Sequence, residues 1–600
     1  MAAQVARLKE SEGVNYESYS ELTGPLTEPL TGKHTAYRVQ FRKIHRTKRE
    51  WLTVRLLVTV LVVLDVRFMT WLLEPDHYPV LQGPMWLNVL KLFMMVGSIG
   101  MQVFLLLNVF TVCRACLAAR DPIPVNPPRG LRIAFITTIV PASEPIAMAR
   151  RTLEAARQIR YDVGLRGCFD VWLLDEGNLK EIQEMCAQIG VHHFSRRDIG
   201  GLTLKQGVFA RKTKHGNHNQ WLWEHGNEYD IVMFVDTDHV PLPNMAERML
   251  GYFRDPDVAF VVGPQFYGNQ QDRVTRWAES AQYLFHAVIQ RAGNRYQCPM
   301  LVGTSAAVRI SALADIGGYV DSITEDLATS ARIHASRNPR TGKKWRSIYT
   351  PDLTAVGEGP SSWTEFFGQQ TRWSGGTYDA LKRQFIHFIF RLRLGAMLHY
   401  SLMLTYYPSV AIGWIMGIFV SACYLGFGIA SLHTPANWWL SYYTDIATLQ
   451  FILYWFMRRH NVSPHEPEGS SGFSGMLVSA LTAPVYARSF VKTLLGMKLS
   501  FNVTAKGSSS KGDNLWTFKY HLMWAVPVAA ILATSVIRHQ YYPLMMGWAV
   551  LILGICFSPI IIWIYDSIRN PQTDRPSVPA EAQEDATVEM PAVAPTPQGM

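Results

Sequence analysis

Two carboxylates one residue apart, Asp236 and Asp238, follow an apolar run and lead into His239-Val240-Pro241. Hard oxygen donors in that pattern suit Mg²⁺ or Mn²⁺ held against a diphosphate. Such a cation neutralises the charge that grows on a departing nucleoside diphosphate. His239 either adds a ligand or makes an adjacent hydrogen bond. Further on, Thr324-Glu325-Asp326 opens a helical run over 327–335 and offers a carboxylate suited to take a proton from an attacking hydroxyl. The same residues also read as a helix N-cap, with Thr324 capping and the acids favouring the dipole. In Gln369-Gln370-Thr371-Arg372-Trp373, Arg372 is an always-charged planar partner for phosphate, and Trp373 has a flat apolar face for the C–H side of a sugar ring. Lys214-His215-Gly216-Asn217-His218-Asn219 places a cation and amides near a glycine that allows close approach to phosphate or ribose; taken alone it is equally a polar turn.

The region that must position these groups, 120–393, alternates short apolar runs with helical patterns, the signature of an α/β domain with a mostly parallel sheet. Strands are predicted at Arg132–Ile139, 171–174, 231–235 and Val258–Val262. Carboxylates cluster at their C-terminal ends, where open α/β sheets bind ligands, so Asp175, Glu176, Asp236 and Asp238 mark a nucleotide site. Any one of them alone reads as a surface turn carboxylate.

Of the 600 residues, 48% are hydrophobic and 12% aromatic, an average over a polar enzyme and a set of apolar segments. The net charge of +10 comes from basic residues at the flanks of those segments, Arg42, Lys43, Arg46, Lys48 and Arg49 among them, which argues for membrane topology and against nucleic acid. Seven scattered cysteines argue against a disulfide framework. No short apolar stretch near Met1 marks a cleaved signal peptide, so the first membrane helix is expected to act as the signal. A bilayer needs about 20 apolar residues per helix, and six stretches are candidates: 53–73 and 87–112 before the polar region, then 400–430 (bent at Pro408), 444–457, 521–536 and 545–564. Asp65 either lines a channel, pairs with Arg67 or marks a misplaced boundary. Lys and Arg distribution places the middle region and both termini on the cytoplasmic side. Two further stretches, 276–291 and 475–497, read as interfacial helices or ordinary domain helices.

In order across 133–506, these motifs resemble the membrane-embedded processive glycosyltransferases of the GT-A type, and within them the catalytic subunit of bacterial cellulose synthase, with its relatives. Val140-Pro141-Ala142-Ser143-Glu144-Pro145 is similar to the first nucleotide loop of that family, and Asp175-Glu176-Gly177 to its acidic uridine-contacting turn. Lys214 to Asn219 resembles K-x-G-N-x-N, residues 236–241 resemble D-x-D-H-V-P, and Thr324-Glu325-Asp326 matches T-E-D. Gln369, Arg372 and Trp373 match Q-x-x-R-W, and Phe501-Asn502-Val503-Thr504-Ala505-Lys506 matches the F-x-V-T-x-K gating loop. The resemblance implies a GT-A (Rossmann-like) cytoplasmic catalytic domain inserted in an α-helical transmembrane bundle. It assigns a UDP-sugar to Ser143, Glu144, Asp175, Glu176, Lys214, Asn217, Asn219, Asp236, Arg372, Phe501, Val503, Thr504 and Lys506. The metal, Mg²⁺ or Mn²⁺, falls to Asp236, Asp238 and His239. The acceptor falls to Gln369, Trp373 and the loop Gly303-Thr304-Ser305, and catalysis to Asp326 as general base with Glu325 beside it.

Departures from the family pattern are local. The acidic pair is Asp175-Glu176, and the Gly303-Thr304-Ser305 loop lacks the cysteine common in cellulose synthases. The Pro- and Ala-rich segment after Arg569 has a disordered composition, and no cyclic-di-GMP-binding domain is expected in it. The expected organisation is a cytoplasmic segment (1–50), two membrane helices (51–115), the catalytic domain (120–395), two membrane helices (396–460), an interfacial helix with the gating loop (461–515), two membrane helices (516–568) and the tail (569–600). The expected activity is an inverting, processive synthesis of a cellulose-like β-1,4-glucan from UDP-glucose with export across the plasma membrane. Another β-linked polysaccharide or a single sugar transfer is the alternative. The expected partners are the donor, the growing chain, the bilayer and accessory export subunits.

Overall fold

The computed structural model describes residues 38–569 apart from 198, 200–203, 205–206, 468 and 498–511. Phe501, Val503, Thr504 and Lys506 of the gating motif therefore lie outside the described residues, as does the segment from 570 on. A seven-stranded sheet forms the centre of the polar region. Its strands are β1 (Arg132–Ile139), β2 (Cys168–Asp175), β3 (His192–Phe194), β4 (Ile231–Phe234), β5 (Val258–Val262), β6 (Ala306–Arg309) and β7 (Arg346–Tyr349), in the order β7-β5-β6-β4-β1-β2-β3. All neighbours are parallel except at β6, which runs antiparallel to both β4 and β5. Near-continuous apolar strands such as β4 and β5 are what a sheet covered on both faces requires. Accordingly, Ile133, Phe135 and Ile139 of β1 enter one core, and Ala134 and Ile136 enter the opposite one.

The predicted strands β1 and β5 coincide with the observed ones, β2 is longer than its apolar stretch, and β4 ends one residue early. The Lys214 stretch is not a turn. It forms the first turns of a helix, Lys214–His225, started by the Thr213 hydroxyl accepting from the backbone N–H of Gly216 at 3.1 Å.

Among the described residues, four apolar helical segments are long enough to cross a membrane: Met85–Ala118, Leu394–Phe427, Leu515–Ile537 and Pro543–Arg569. The second of these breaks not at Pro408 but at Thr405, between helices Leu394–Leu404 and Tyr406–Phe427. The cause is still Pro408, whose ring excludes a helical approach to the Leu404 carbonyl four residues back. The other two predicted spans are also helical, Lys48–Leu72 and Ala436–Met457, and lie against each other through Phe68, Trp439, Tyr442 and Tyr443. Asp65 is buried and Arg67 exposed. Two residues apart on a helix they point in different directions, so they do not form a pair.

Two interactions fasten the sheet domain to the long helices. Arg291 is buried and makes a two-pronged hydrogen bond to Asp121 at 2.6 Å for each prong, while also donating to the carbonyl of His460 at 2.8 Å. Helix Phe473–Leu481 lies across helix Arg273–Tyr283 so closely that a Cβ on Gly475 would come within 2.5 Å of the Ser280 backbone. Gly475→Ala is therefore expected to destabilise the protein by about 1–3 kcal/mol, the scale of overpacking a rigid backbone contact. Gly547→Ala, in a helix with none of the described residues within 4 Å of the new methyl, serves as the comparison and is expected to leave stability unchanged or slightly raised. Thermal unfolding in detergent measures both, and equal midpoints would refute the contact.

Candidate active site

The reversal of β6 builds the centre of the site. Because Phe234 of β4 pairs with Ala306 of the antiparallel β6, the residues leaving β4 and those entering β6 become neighbours. The Thr304 hydroxyl accepts from the backbone N–H of Asp236 at 3.1 Å, and the Gly303 carbonyl accepts from Lys214 Nζ at 2.5 Å. The same ammonium is ion-paired with Asp236. Burial works against the charge on Lys214, but Asp236, Glu325 and Asp326 outweigh it and raise the lysine above its ordinary range.

Asp236, Asp238 and His239 bring one ligand atom each to within 4.8 Å of one another, a spacing and donor set that fit a hard divalent cation. Both nitrogens of His239 already have protein neighbours: Nδ1 lies 3.0 Å from Asp238 Oδ1, and Nε2 lies 3.2 Å from the Gln265 side-chain amide. His239 thus orients Asp238, and it becomes a metal ligand only by exchanging one of these bonds.

Glu325 and Asp326 begin the helix Glu325–Ala335. Asp326 Oδ1 accepts from the N–H of Leu327 at 2.8 Å, and a side chain at Gly303 would lie 3.7 Å from Asp326 Oδ2. Burial is the first cause that raises both carboxyl groups above the usual range; the charge of Asp326 adds to it at Glu325, and Lys214 opposes it. Thr324 occupies the N-cap position, but its hydroxyl caps no N–H, which corrects the capping reading. Its side chain instead packs where a Cβ of Gly376 would stand, joining the start of this helix to the helix Trp363–Ala380.

That second helix carries Gln369, Arg372 and Trp373. Burial depresses the Arg372 guanidinium, against the opposing charges of Asp236, Asp238 and Glu325, so the arginine lies within electrostatic reach of the acidic group. Gln369 donates to the hydroxyl of buried Tyr267 at 3.3 Å, and Trp373 is half-buried one turn on.

Several predicted binding residues have other neighbours than a ligand. Asp175 is fully buried, and its carboxylate accepts from the N–H groups of Gly177 (2.6 Å) and Leu179 (3.0 Å) and lies 3.2 Å from His193. Of the acidic pair, Glu176 is the partly exposed member, held at its carboxylate by buried Arg196. Asn219 is saturated inside the protein: its amide donates to the carbonyls of Val208 and Tyr319 and accepts from the N–H of Tyr319. Asn217 is buried in the first turn of its helix, its amide 3.5 Å from the Leu174 carbonyl. Thr304 and Ser305 are completely buried, and the Thr304 hydroxyl supports the backbone of the loop after β4 at Asp236. Glu144 accepts from the N–H of Val140 at 2.8 Å and from the Thr237 hydroxyl at 3.3 Å, and Ser143 donates to the Val140 carbonyl at 3.2 Å; the first loop is thereby tied to the loop after β4. Sequence patterns gave no hint of Arg196, Gln265 or Tyr267, because each acts on a neighbour distant in the chain.

Residues 231–457 match the model of glycosyl transferase family group 2. Among curated proteins, the chain is 24% identical over 265 residues to the cellulose synthase catalytic subunit of Xanthomonas axonopodis pv. citri, covering 43% of this chain and 33% of that protein. It is 24% identical over 324 residues to the corresponding protein of Komagataeibacter sucrofermentans, covering 52% and 39%. It is 30% identical over 172 residues to a cellulose synthase catalytic subunit of Dictyostelium discoideum, covering 28% and 16%. The chain thus spans well under half the length of these curated relatives.

The charge arrangement makes a prediction for cation binding. Lys214→Met removes the ammonium from Asp236 and is expected to tighten Mn²⁺ binding in the absence of nucleotide about twofold to fivefold, the scale of a partly exposed ion pair. Asp238→Asn is expected to weaken it by at least about tenfold. Titration followed by Mn²⁺ electron paramagnetic resonance reads both, and unchanged affinity in the two variants would remove the cation from this cluster.

Proposed function

We propose that this cellulose synthase-like chain, with its glycosyl transferase family group 2 segment, transfers sugars from a UDP-sugar onto a growing β-linked glucan and passes the product through its own membrane helices. The observation that carries the reading is the electrostatic convergence of Asp326, the Asp236–Asp238 pair and Arg372, with Arg372 on a helix that is packed against a membrane-length segment.

In this reading the donor diphosphate lies against Asp236 and Asp238 through a divalent cation, which offsets the charge growing on the leaving UDP. Arg372 offers a second, protein-borne positive charge from the opposite wall, in place before the bond breaks. Asp326 takes the proton of an acceptor hydroxyl, the freed oxygen attacks the anomeric carbon from the face opposite UDP, and UDP departs with the bonding electrons. One such displacement inverts the anomeric centre. Trp373, half-buried beside Arg372, offers a flat face on which the terminal sugar of the chain stacks. We assign glucose as the sugar, a β-1,4 linkage and a cytoplasmic sheet domain on the strength of the motif resemblance and of the basic flanks of the helices.

Purified protein in nanodiscs, supplied with Mg²⁺ or Mn²⁺ and a panel of UDP-sugars, is expected to release UDP with UDP-glucose and to make a high-molecular-weight product cut by a β-1,4-endoglucanase. Resistance to that enzyme with sensitivity to a 1,3-specific one would change the linkage, and absence of UDP release with every donor would sink the reading. Asp326→Asn keeps the shape but removes the base, and is expected to lower turnover by at least about 10³-fold while UDP binding survives. The pH dependence follows from the direction of the shift. The base acts as carboxylate and both acids are raised, so turnover is full at high pH and falls on acidification through a limb lying above the ordinary carboxyl pKa of about 4. An acid limb at or below that value would contradict the assignment.

A further inference from the structure

Glu325 and Asp326 line a small cavity together with Lys214, His218, Phe234, Leu301 and Tyr319, with about 10 Å³ of free room, the space of one water molecule. Two of its lining groups are buried polar atoms with no partner among the described residues: Nε2 of His218, a side chain 3% exposed, and the hydroxyl of Tyr319, 5% exposed. Their rings stand edge to face, 5.4 Å between centroids. Buried polar atoms left unbonded cost about 1–3 kcal/mol each, and native proteins rarely keep two on the walls of one cavity of this size.

The arrangement is actively held. Asn219, the residue after His218, clasps the backbone of Tyr319 at both its N–H (2.7 Å) and its carbonyl (2.9 Å). The next residue, Val320, donates its N–H to Thr329 on the Glu325–Ala335 helix at 3.0 Å. The Lys214–His225 helix, the Tyr319 loop and the acidic helix are therefore fastened around the cavity. Burial, with Lys214, His215 and Arg196 nearby, keeps His218 neutral, so its ring can accept a hydrogen bond.

We propose that His218 and Tyr319 hold a water molecule that hydrogen-bonds the Glu325–Asp326 pair, making these two side chains positioning residues for the carboxylates. The inference rests on the reading of Asp326 as the base, but the water itself does not. The charged groups facing it are Lys214, Glu325 and Asp326, with Asp236 and Arg372 one shell beyond. Tyr319→Phe is the sharpest probe. It removes one oxygen and keeps the ring, and an unbonded hydroxyl would make the change neutral or stabilising.

Tyr319→Phe and His218→Leu are each expected to lower kcat for UDP release about threefold to tenfold, the value of one hydrogen bond, with the KM for the UDP-sugar unchanged. The double variant is expected to be no slower than the slower single one, since both lose the same water. His218→Gln, which keeps a polar group in place, is expected to recover most of the loss. Electron cryomicroscopy of the wild-type protein in nanodiscs, at a resolution that shows ordered water, is expected to show density between His218 and Tyr319 that disappears in Tyr319→Phe. Wild-type kcat in Tyr319→Phe, effects that multiply in the double variant, or a cavity without density would overturn the proposal. If the wild-type protein released no UDP from any donor, the functional reading would fall alone, and the density would still decide whether the water is held.

Discussion

Crowded negative charge is the constraint to which the rest of the site answers. Asp236, Asp238, Glu325 and Asp326 come from the loop after β4 and from the start of one helix, and they converge on Lys214 and Arg372. Like charges brought together out of water raise each other's proton affinity, and two cations do not balance four carboxylates. Such a cluster is stable only while something positive is placed among the acids or some of them keep their protons, and the structure shows both tendencies. Lys214 is drawn onto Asp236, and the Glu325–Asp326 pair is shifted toward the protonated form. A divalent cation held by Asp236 and Asp238 would relieve the same repulsion, and on the proposed reading binding of donor and readiness of the base would be one electrostatic problem.

Holding repelling groups at fixed distances requires a stiff frame, and the sheet supplies it. The antiparallel β6 presses the loop before it against the loop after β4, where Thr304 bonds the Asp236 backbone. The acidic helix is fixed from outside by Thr324 against Gly376, a contact with no room for a side chain at 376. The carboxylates are thus set by two threonine side chains, each seated against the backbone of a neighbouring element.

What could be read in advance follows from how local each signal is. Apolar strands declare themselves by composition, and so β1 and β5 were legible to the residue, whereas Ala306–Arg309, with two alanines and an arginine, has no strand signature and is recruited by its neighbours. The order of the acidic motifs pointed to one cleft because each follows a strand or opens a helix. Glycine and asparagine in the Lys214 stretch suggested a turn, although the Thr213 cap and the packing of buried Trp221 further along make it a helix. Which carboxylate of Asp175-Glu176 faces outward depends on His193 and Arg196, and so on tertiary contacts no spacing rule contains.

The helix that bears Arg372 is also bonded on its far side. The Tyr378 hydroxyl lies within hydrogen-bonding distance of the carbonyls of Tyr407 and Tyr486, and the Tyr486 hydroxyl donates to Gln370. Tyr407 belongs to the membrane-length segment Leu394–Phe427, and Tyr486 to a helix packed beside it. Trp363–Ala380 is thus tied on one side to a segment of membrane-crossing length while Arg372 is turned to the acids. If that segment crosses a bilayer, a mismatch between its length and the bilayer would load this helix through the same tyrosines. The position of the guanidinium would then answer to the thickness of its surroundings as well as to the charges beside it.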